Sequence, residues 1–527
     1  MNSKLLFATL FCLNIIYSHR CGTDLINKKP FKITNDKVNN NKRRFSNEYT
    51  PIKIKFDFTQ LATQVNAFEL QFFEKVFSKV GDYFSSLLLV QHDNIQLDRS
   101  LINNNCDIDN IGGGFERWLY DYDVVIFPFK DYSYSEQILA AAMPCLVLNN
   151  NKPVGGVVGL SRYISMNKED SESFYEKLLL HELSHALGFH PYFFQYLNLM
   201  KTEIFDGYNI SYINSPKVLE KAKIHFNCPN IKGIEIENQG GEGSVGAHWE
   251  SRYMLGDYMI STDYTEIVIS DITLALFEDL GFYKVNYYTG GLFRFGKNQG
   301  CSFLEQKCIQ NLKTSFQNDF CLITGESFCG SSHISRGICA IVPYEDELEE
   351  KYQYFGDSHL GGAFSSANYC PVSYDFNNED YYFYYSANCK YGYLKHSSFG
   401  EKIGDNSLCF ESSLIPSTSS NSLTLNKNSI CYEVECDKFN KEIILKIGSL
   451  KIICPGYRIG LTNPDGFYGE IMCPDYNLVC SSEIQCNDML DCIEKKSTSI
   501  RSTYKYLTSF KFDINFFLYF IFLIFLI

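Results

Sequence analysis

The sequence predicts an α+β protein: a mixed sheet with long helices over about the first 300 residues, then a β-rich half stapled by disulfides. Three observations carry this. Before residue 300, short apolar and β-branched runs bounded by turn residues ("PIKIKFDF", "DVVIFPF", "CLVLNN", "PVGGVVGL") interleave with helical periods such as "NAFELQFFEKVFSKVGDYFSSLL". After residue 301, cysteines recur among Gly, Ser, Asn and Tyr, with many short strand-like runs and few helical ones. Finally, 527 residues with 45% hydrophobic and 16% aromatic content supply enough apolar surface for two or three packed domains. A formal charge of −14 leaves no basic footprint, which argues against nucleic acid as a partner.

In chain order, residues 1–18 combine an early lysine, an apolar run and the small residue Ser18, the pattern of a secretory signal peptide. Residues 19–44 are polar, rich in lysine and asparagine, and end in a basic stretch at Lys42, Arg43 and Arg44; they read as a propeptide. Residues 45–300 hold the mixed pattern and 301–495 the cysteine-rich one. Within the latter, "NSLTLNKNS" reads as loop and "DYYFYYSANC" as buried strand aromatics. Residues 496–527 carry Ser497, Ser499 and Ser502, a polar and basic spacer, and a terminal block of 12 apolar residues, short of the ~20 that span a bilayer. That is the arrangement of a GPI-anchor signal. The expected location is the secretory pathway, then the outer membrane leaflet at the cell surface or the extracellular space.

Twenty cysteines in such a chain point to disulfides formed in an oxidising lumen. Cys12 leaves with the signal peptide and Cys21 lies just beyond it, so 18 remain. Of these only Cys106, Cys145 and Cys228 precede residue 300, so complete pairing requires at least one bridge between the halves.

Chemistry enters with "LLLHELSHALGFHP", residues 178–191. Residues 170–187 read as a helix, with Ser173 and Glu176 as a capping box and apolar residues continuing to Gly188. Four apart on a helix, His181 and His185 share a face and can aim both imidazoles at one ion, while Glu182 stands beside that ion, placed to take a proton from water. Two histidines do not complete a catalytic zinc site, which needs three protein ligands and one open position. In the spacing H-E-x-x-H-x-x-G-x-x-H the glycine turns the chain and a third histidine returns to the metal. Gly188 is in place, but the histidine position is Pro191, and His190 falls one residue early. Glu203, 18 residues after His185, is a candidate of the kind thermolysin-like enzymes use, provided the intervening chain is helical.

Sixty residues beyond Gly188, in "GGEGSVGAHWESRYMLGDYMIS", stands another histidine, preceded by "HFNCPNIKGIEIENQ". These stretches resemble the leishmanolysin family of surface zinc metalloproteases, of the metzincin clan. "AAAMPCLVLNNNKPVGGVVGL", "GKNQGCSF", "SRGICAIVPY" and "GGAFSSANYCPV" are similar to its flanking and cysteine-rich stretches, so the resemblance covers roughly residues 45–490. It implies a metzincin-type catalytic domain with an insertion at 189–247, and His248 as the third ligand of one zinc ion with His181 and His185. His190 is then a bystander. Met259, rather than Met254, is implied as the Met-turn methionine beneath the metal, with a further helix at 272–287. It also implies pairing of Cys106 with Cys145, and of Cys228 across to Cys301. The sequon Asn209-Ile-Ser211 falls in the insertion, where a surface loop is expected. "HRCGTD" is similar to the family's propeptide motif, in which a cysteine thiolate closes the metal's open position; Cys21 would then enforce latency, although Thr23 replaces the family's second histidine.

The function this implies is a zinc-dependent endopeptidase acting on proteins or peptides with Glu182 as general base, with a role in cell adhesion. The reading of another class is an inactive surface adhesion or recognition protein that keeps the fold. An extended substrate is expected to add a strand beside residues 153–160.

Overall fold

A computed structural model describes residues 20–21, 29–33 and 48–480, apart from 94–95, 134–137, 164–170, 206–207, 240–243, 263, 265, 288–290, 292, 375–386, 391, 393, 395–398, 418–426, 455–458 and 463. The expected signal peptide, the basic stretch at 42–44, most of "NSLTLNKNS" and "DYYFYYSANC", and the 496–527 tail lie outside the described residues.

The four apolar runs before residue 161 enter one sheet. Its strands are β1 (Arg20–Cys21), β2 (Phe31–Lys32), β3 (Ile54–Phe56), β4 (Val124–Asp131), β5 (Ile138–Val147) and β6 (Pro153–Ser161), in the order β1-β5-β6-β4-β3, with β2 also on the outer side of β5. β3, β4 and β6 run parallel, and β5 runs antiparallel to β6. Every residue of β6 is buried, the near-continuous apolar pattern of a strand covered on both faces. This corrects the expectation for 153–160: β6 is paired on both sides and has no edge to offer. The edge belongs to β5, and along it lie β1 and β2 as parallel partners.

Helix α1 (Ala67–Leu87) starts where Asn66 and Glu69 form a capping box, and buries Phe73, Val76, Phe77, Val80 and Phe84 at helical spacing. Against it and the sheet packs α2 (Ser171–Leu187), the helix of the histidine motif, with Tyr175 between Phe72 and Phe73 at ring separations of 5.3 and 5.4 Å. Gly156 of β6 permits the close approach, since a Cβ there would stand 2.9 Å from that of Ala186. The capping box expected at Ser173 and Glu176 is not the start of α2: Ser173 lies inside the first turn, and the Glu176 carboxylate meets Lys79 of α1 at 2.5 Å.

The insertion is folded rather than a loop. A hairpin of β7 (Met200–Phe205) and β8 (Tyr208–Ile213) takes β9 (Ile234–Glu235) as a third strand. Between them α3 (Pro216–Phe226) packs on α4 (Asp271–Asp279), and the Asp279 carboxylate accepts the main-chain N–H groups of Lys217 and Val218 at 2.9 and 3.0 Å, capping α3. The helix expected over 272–287 ends at Asp279; Gly281, at φ 87°, turns the chain into the strand Tyr283–Val285.

Eight disulfides join sixteen cysteines among the described residues, with Cys106–Cys145 and Cys228–Cys301 as implied. One apolar core draws on residues from Ile52 to Val372, so Phe303, Phe316 and Phe320 share a core with the long helices. A second core lies under an antiparallel six-stranded sheet in the order 450–454, 442–447, 428–437, 407–412, 470–473, 459–462. The buried Glu266 carboxylate clasps the 330–335 segment, accepting from the N–H groups of Ser332, Ile334 and Ser335 at 2.8, 3.2 and 3.0 Å. Among the described residues no helix is long and apolar enough to cross a membrane.

Candidate metal centre

Helix α2 sets His181 and His185 one turn apart, and the insertion delivers the third imidazole. Main-chain hydrogen bonds from Glu237 N to His248 O (2.9 Å), Gly246 N to Glu237 O (2.9 Å) and Glu250 N to Glu235 O (3.0 Å) lay the 246–250 segment alongside 235–237. The three rings meet there. Nε2 of His181 lies 3.1 Å from Nε2 of His185 and 3.1 Å from Nε2 of His248.

The other ring nitrogens explain the orientation. Nδ1 of His181 faces Tyr258 O at 2.7 Å, Nδ1 of His185 faces Phe189 O at 2.7 Å, and Nδ1 of His248 faces Ser244 O at 2.9 Å. A carbonyl only accepts, so each Nδ1 carries the proton and each Nε2 presents a lone pair. Burial pushes the His181 pKa down to about 4 and that of His248 to about 3, and burial with the neighbouring histidines holds His185 well below its ordinary value. Three neutral acceptors thus face one another with no proton between them, each a group that costs about 1–3 kcal/mol when buried without a partner. A cation at their centre resolves the conflict. Tetrahedral zinc with Zn–N distances of about 2.0–2.1 Å spaces its nitrogens about 3.3–3.4 Å apart, close to what the rings adopt. The residues present fit zinc.

Cys21 completes the group. Its Sγ and the three imidazoles offer ligand atoms that all lie within 4.8 Å of one another, and Sγ is 3.6 Å from Oε2 of Glu182. Glu182 is fully buried beside this cluster. The expected residues 181, 182, 185, 248 and 21 are therefore brought together from β1, α2 and the end of the insertion.

Gly188 ends α2 at φ 144°, and a Cβ there would stand 2.4 Å from Leu280 Cδ1, so any other residue would be strained. The turn it makes brings Phe189 O back to His185. His190 is elsewhere engaged: its Nδ1 accepts from Tyr192 N at 3.2 Å, capping the short helix Pro191–Tyr196. Glu203 is on β7, 52% exposed at its side chain and 3.7 Å from Lys232, outside the cluster; the helix that would have carried it to the metal is replaced by a strand. Asn209 is exposed near the tip of the hairpin, on a strand rather than a loop.

Met259 is fully buried, and its carbonyl accepts from Trp249 N at 2.9 Å. The residue that sequence reasoning missed is its neighbour Tyr258. Its carbonyl orients His181, while its hydroxyl lies 2.6 Å from Ser184 Oγ, one turn along the same helix. Ser184 donates to Leu180 O at 2.9 Å, so the Tyr258 hydroxyl is the donor of the pair. A carbonyl orienting a ligand leaves no mark in sequence; the adjacency to Met259 was the only signal.

Residues 117–486 match the family profile described as leishmanolysin, well over half of the chain. The chain is 28% identical over 368 residues to a leishmanolysin homolog of Crithidia fasciculata, covering 67% of this chain and 54% of that protein. It is 27% identical over 364 residues to leishmanolysin of Leishmania donovani, covering 66% and 59%, and 27% identical over 299 residues to a leishmanolysin-like peptidase of Drosophila melanogaster, covering 51% and 44%. The matches thus span between 44% and 59% of these relatives' length.

Proposed function

The chain belongs to the leishmanolysin family, and from that premise we propose that it is a zinc-dependent endopeptidase cleaving peptide bonds in proteins or peptides. The observation that carries the reading is the convergence of three Nε2 lone pairs beside the buried carboxylate of Glu182.

A zinc ion held there supplies acidification of a water molecule, toward a pKa of about 7, and polarisation of the scissile carbonyl. The chain's own groups do the rest. His181, His185 and His248 serve as neutral ligands whose Nδ1–H groups are anchored to carbonyls, so the ring planes do not have to reorganise. Glu182 takes the proton from the water and passes it to the leaving amine. Met259 forms the floor as the Met-turn residue. No side chain has to form a covalent bond. An extended substrate pairs with the outer edge of β5, where main-chain groups of β1 and β2 already pair in the unprocessed chain.

That same placement supports latency. The 19–44 segment acts as a propeptide: Cys21 thiolate fills the fourth metal position, and β1 and β2 cover the substrate edge. We place the protein on the secretory route, with the 496–527 tail as a signal for a lipid anchor in the outer leaflet and Asn209 as a glycan acceptor. The sixteen described cysteines paired in disulfides fit an oxidising compartment.

Casein hydrolysis by three preparations tests both parts: unprocessed wild type, wild type cleaved before residue 45, and unprocessed Cys21→Ser. The cleaved form is expected to be fully active and chelator-sensitive, the unprocessed wild type silent, and Cys21→Ser, whose β1 and β2 still cover the substrate edge, chelator-sensitive but less active than the cleaved form. A silent Cys21→Ser would move latency from the thiolate to the strands along β5. Absence of chelator-sensitive cleavage by the processed chain would overturn the peptidase reading and leave surface recognition in its place.

A further inference from the structure

His181 and His185 are spaced by the helix they share, but nothing covalent sets their distance to His248, 63 residues beyond His185. We infer that Asp257 is a positioning residue that sets His248 against His181 through a closed circuit of buried hydrogen bonds; this rests on the three histidines being the metal ligands. Oδ1 of Asp257 accepts from Met259 N at 2.8 Å. Met259 O accepts from Trp249 N at 2.9 Å, the residue after His248. Trp249 Nε1 donates to Thr273 Oγ1 at 2.7 Å, and Thr273 Oγ1 donates back to Oδ2 of Asp257 at 2.7 Å. Ser270 N adds a third donor, to Oδ2 at 3.1 Å. Asp257, Met259, Trp249 and Thr273 are all fully buried.

The circuit holds both ligands that need holding. Tyr258, whose carbonyl fixes His181, lies between the two residues joined by the Asp257–Met259 bond, and Trp249 carries His248. Only a carboxylate at 257 serves all its donors. A carboxylate has no proton to give, so Thr273, which accepts from Trp249, donates its own proton to Asp257; the other two groups are main-chain N–H donors. An asparagine meets a donor with its own amide whichever way it is turned: Met259 N–H in one orientation, Ser270 N–H in the other. The mismatch falls inside a closed, water-excluded network, where an unsatisfied group is felt most.

The test is zinc affinity by chelator competition on the full chain, with the absorption spectrum of the cobalt(II)-substituted protein as a report on ligand geometry. Asp257→Asn is expected to bind zinc about 10–100-fold more weakly and to shift the cobalt bands. Asp279→Ala, which removes the α3 cap without touching the circuit, is expected to lose stability but keep native affinity and spectrum. Should Asp257→Asn fail to fold, Trp249→Phe deletes one bond of the circuit, with an expected loss of about two- to tenfold, the equivalent of one net hydrogen bond. Native affinity and cobalt bands in whichever variant folds overturn the role of Asp257. A wild type that binds no zinc overturns the metal-centre reading itself, a separate result.

Discussion

Glu182→Gln is expected to fold, to bind zinc as wild type does, and to lose about 10²–10⁴-fold in kcat/KM on casein, or about 2.7–5.4 kcal/mol of transition-state stabilisation. The substitution keeps the shape of a fully buried side chain while removing its capacity to accept a proton, so packing and metal content are not at issue. Cys21 Sγ lies 3.6 Å from the same carboxylate, so the assay must use processed protein or a Cys21→Ser background. Activity within a few-fold of wild type would remove Glu182 from the role of base.

His248→Ala is expected to cost zinc more heavily than the about 10–100-fold that follows loss of a group merely supporting a ligand, and to abolish hydrolysis. The argument is geometric. His181 and His185 alone leave two positions to water, and the alanine opens a cavity where a buried imidazole had packed 5.1 Å, centroid to centroid, from the ring of His181. Glu203→Ala and His190→Ala serve as controls. The first is a half-exposed strand residue paired with Lys232, the second a helix cap, and neither is expected to change zinc content. Zinc retained in His248→Ala but lost in Glu203→Ala would reverse the assignment.

Much of the site was legible because its signals are local. The spacing of His181, Glu182 and His185 follows from 3.6 residues per turn, and Gly188 from the left-handed turn that ends the helix. His248 was visible only through a resemblance, since a sixty-residue separation carries no periodicity. Three misreadings have physical causes. The continuous apolar run "PVGGVVGL" says that both faces are covered but not whether both edges are paired, so it did not disclose that the edge lay at 138–147. Ser173 and Glu176 have the composition of a capping box, but a partner on another helix, Lys79, claimed the glutamate. The insertion looked like a surface loop because its order comes from tertiary contacts, the Asp279 cap on α3 and the Cys228–Cys301 bridge, rather than from its own propensities. Tyr258 acts through a main-chain carbonyl, which any residue offers, and Asp257 through a carboxylate whose three donors only the fold assembles, so geometry alone distinguishes them.

The account stands or falls on one ion held by three imidazoles from two distant segments. X-ray absorption at the zinc edge of the unprocessed chain measures that directly. The expected first shell is three nitrogens at about 2.0–2.1 Å and one sulfur at about 2.3 Å, the sulfur giving way to oxygen after cleavage before residue 45. A shell with fewer than three nitrogens, or with carboxylate oxygens in place of the third, would contradict it.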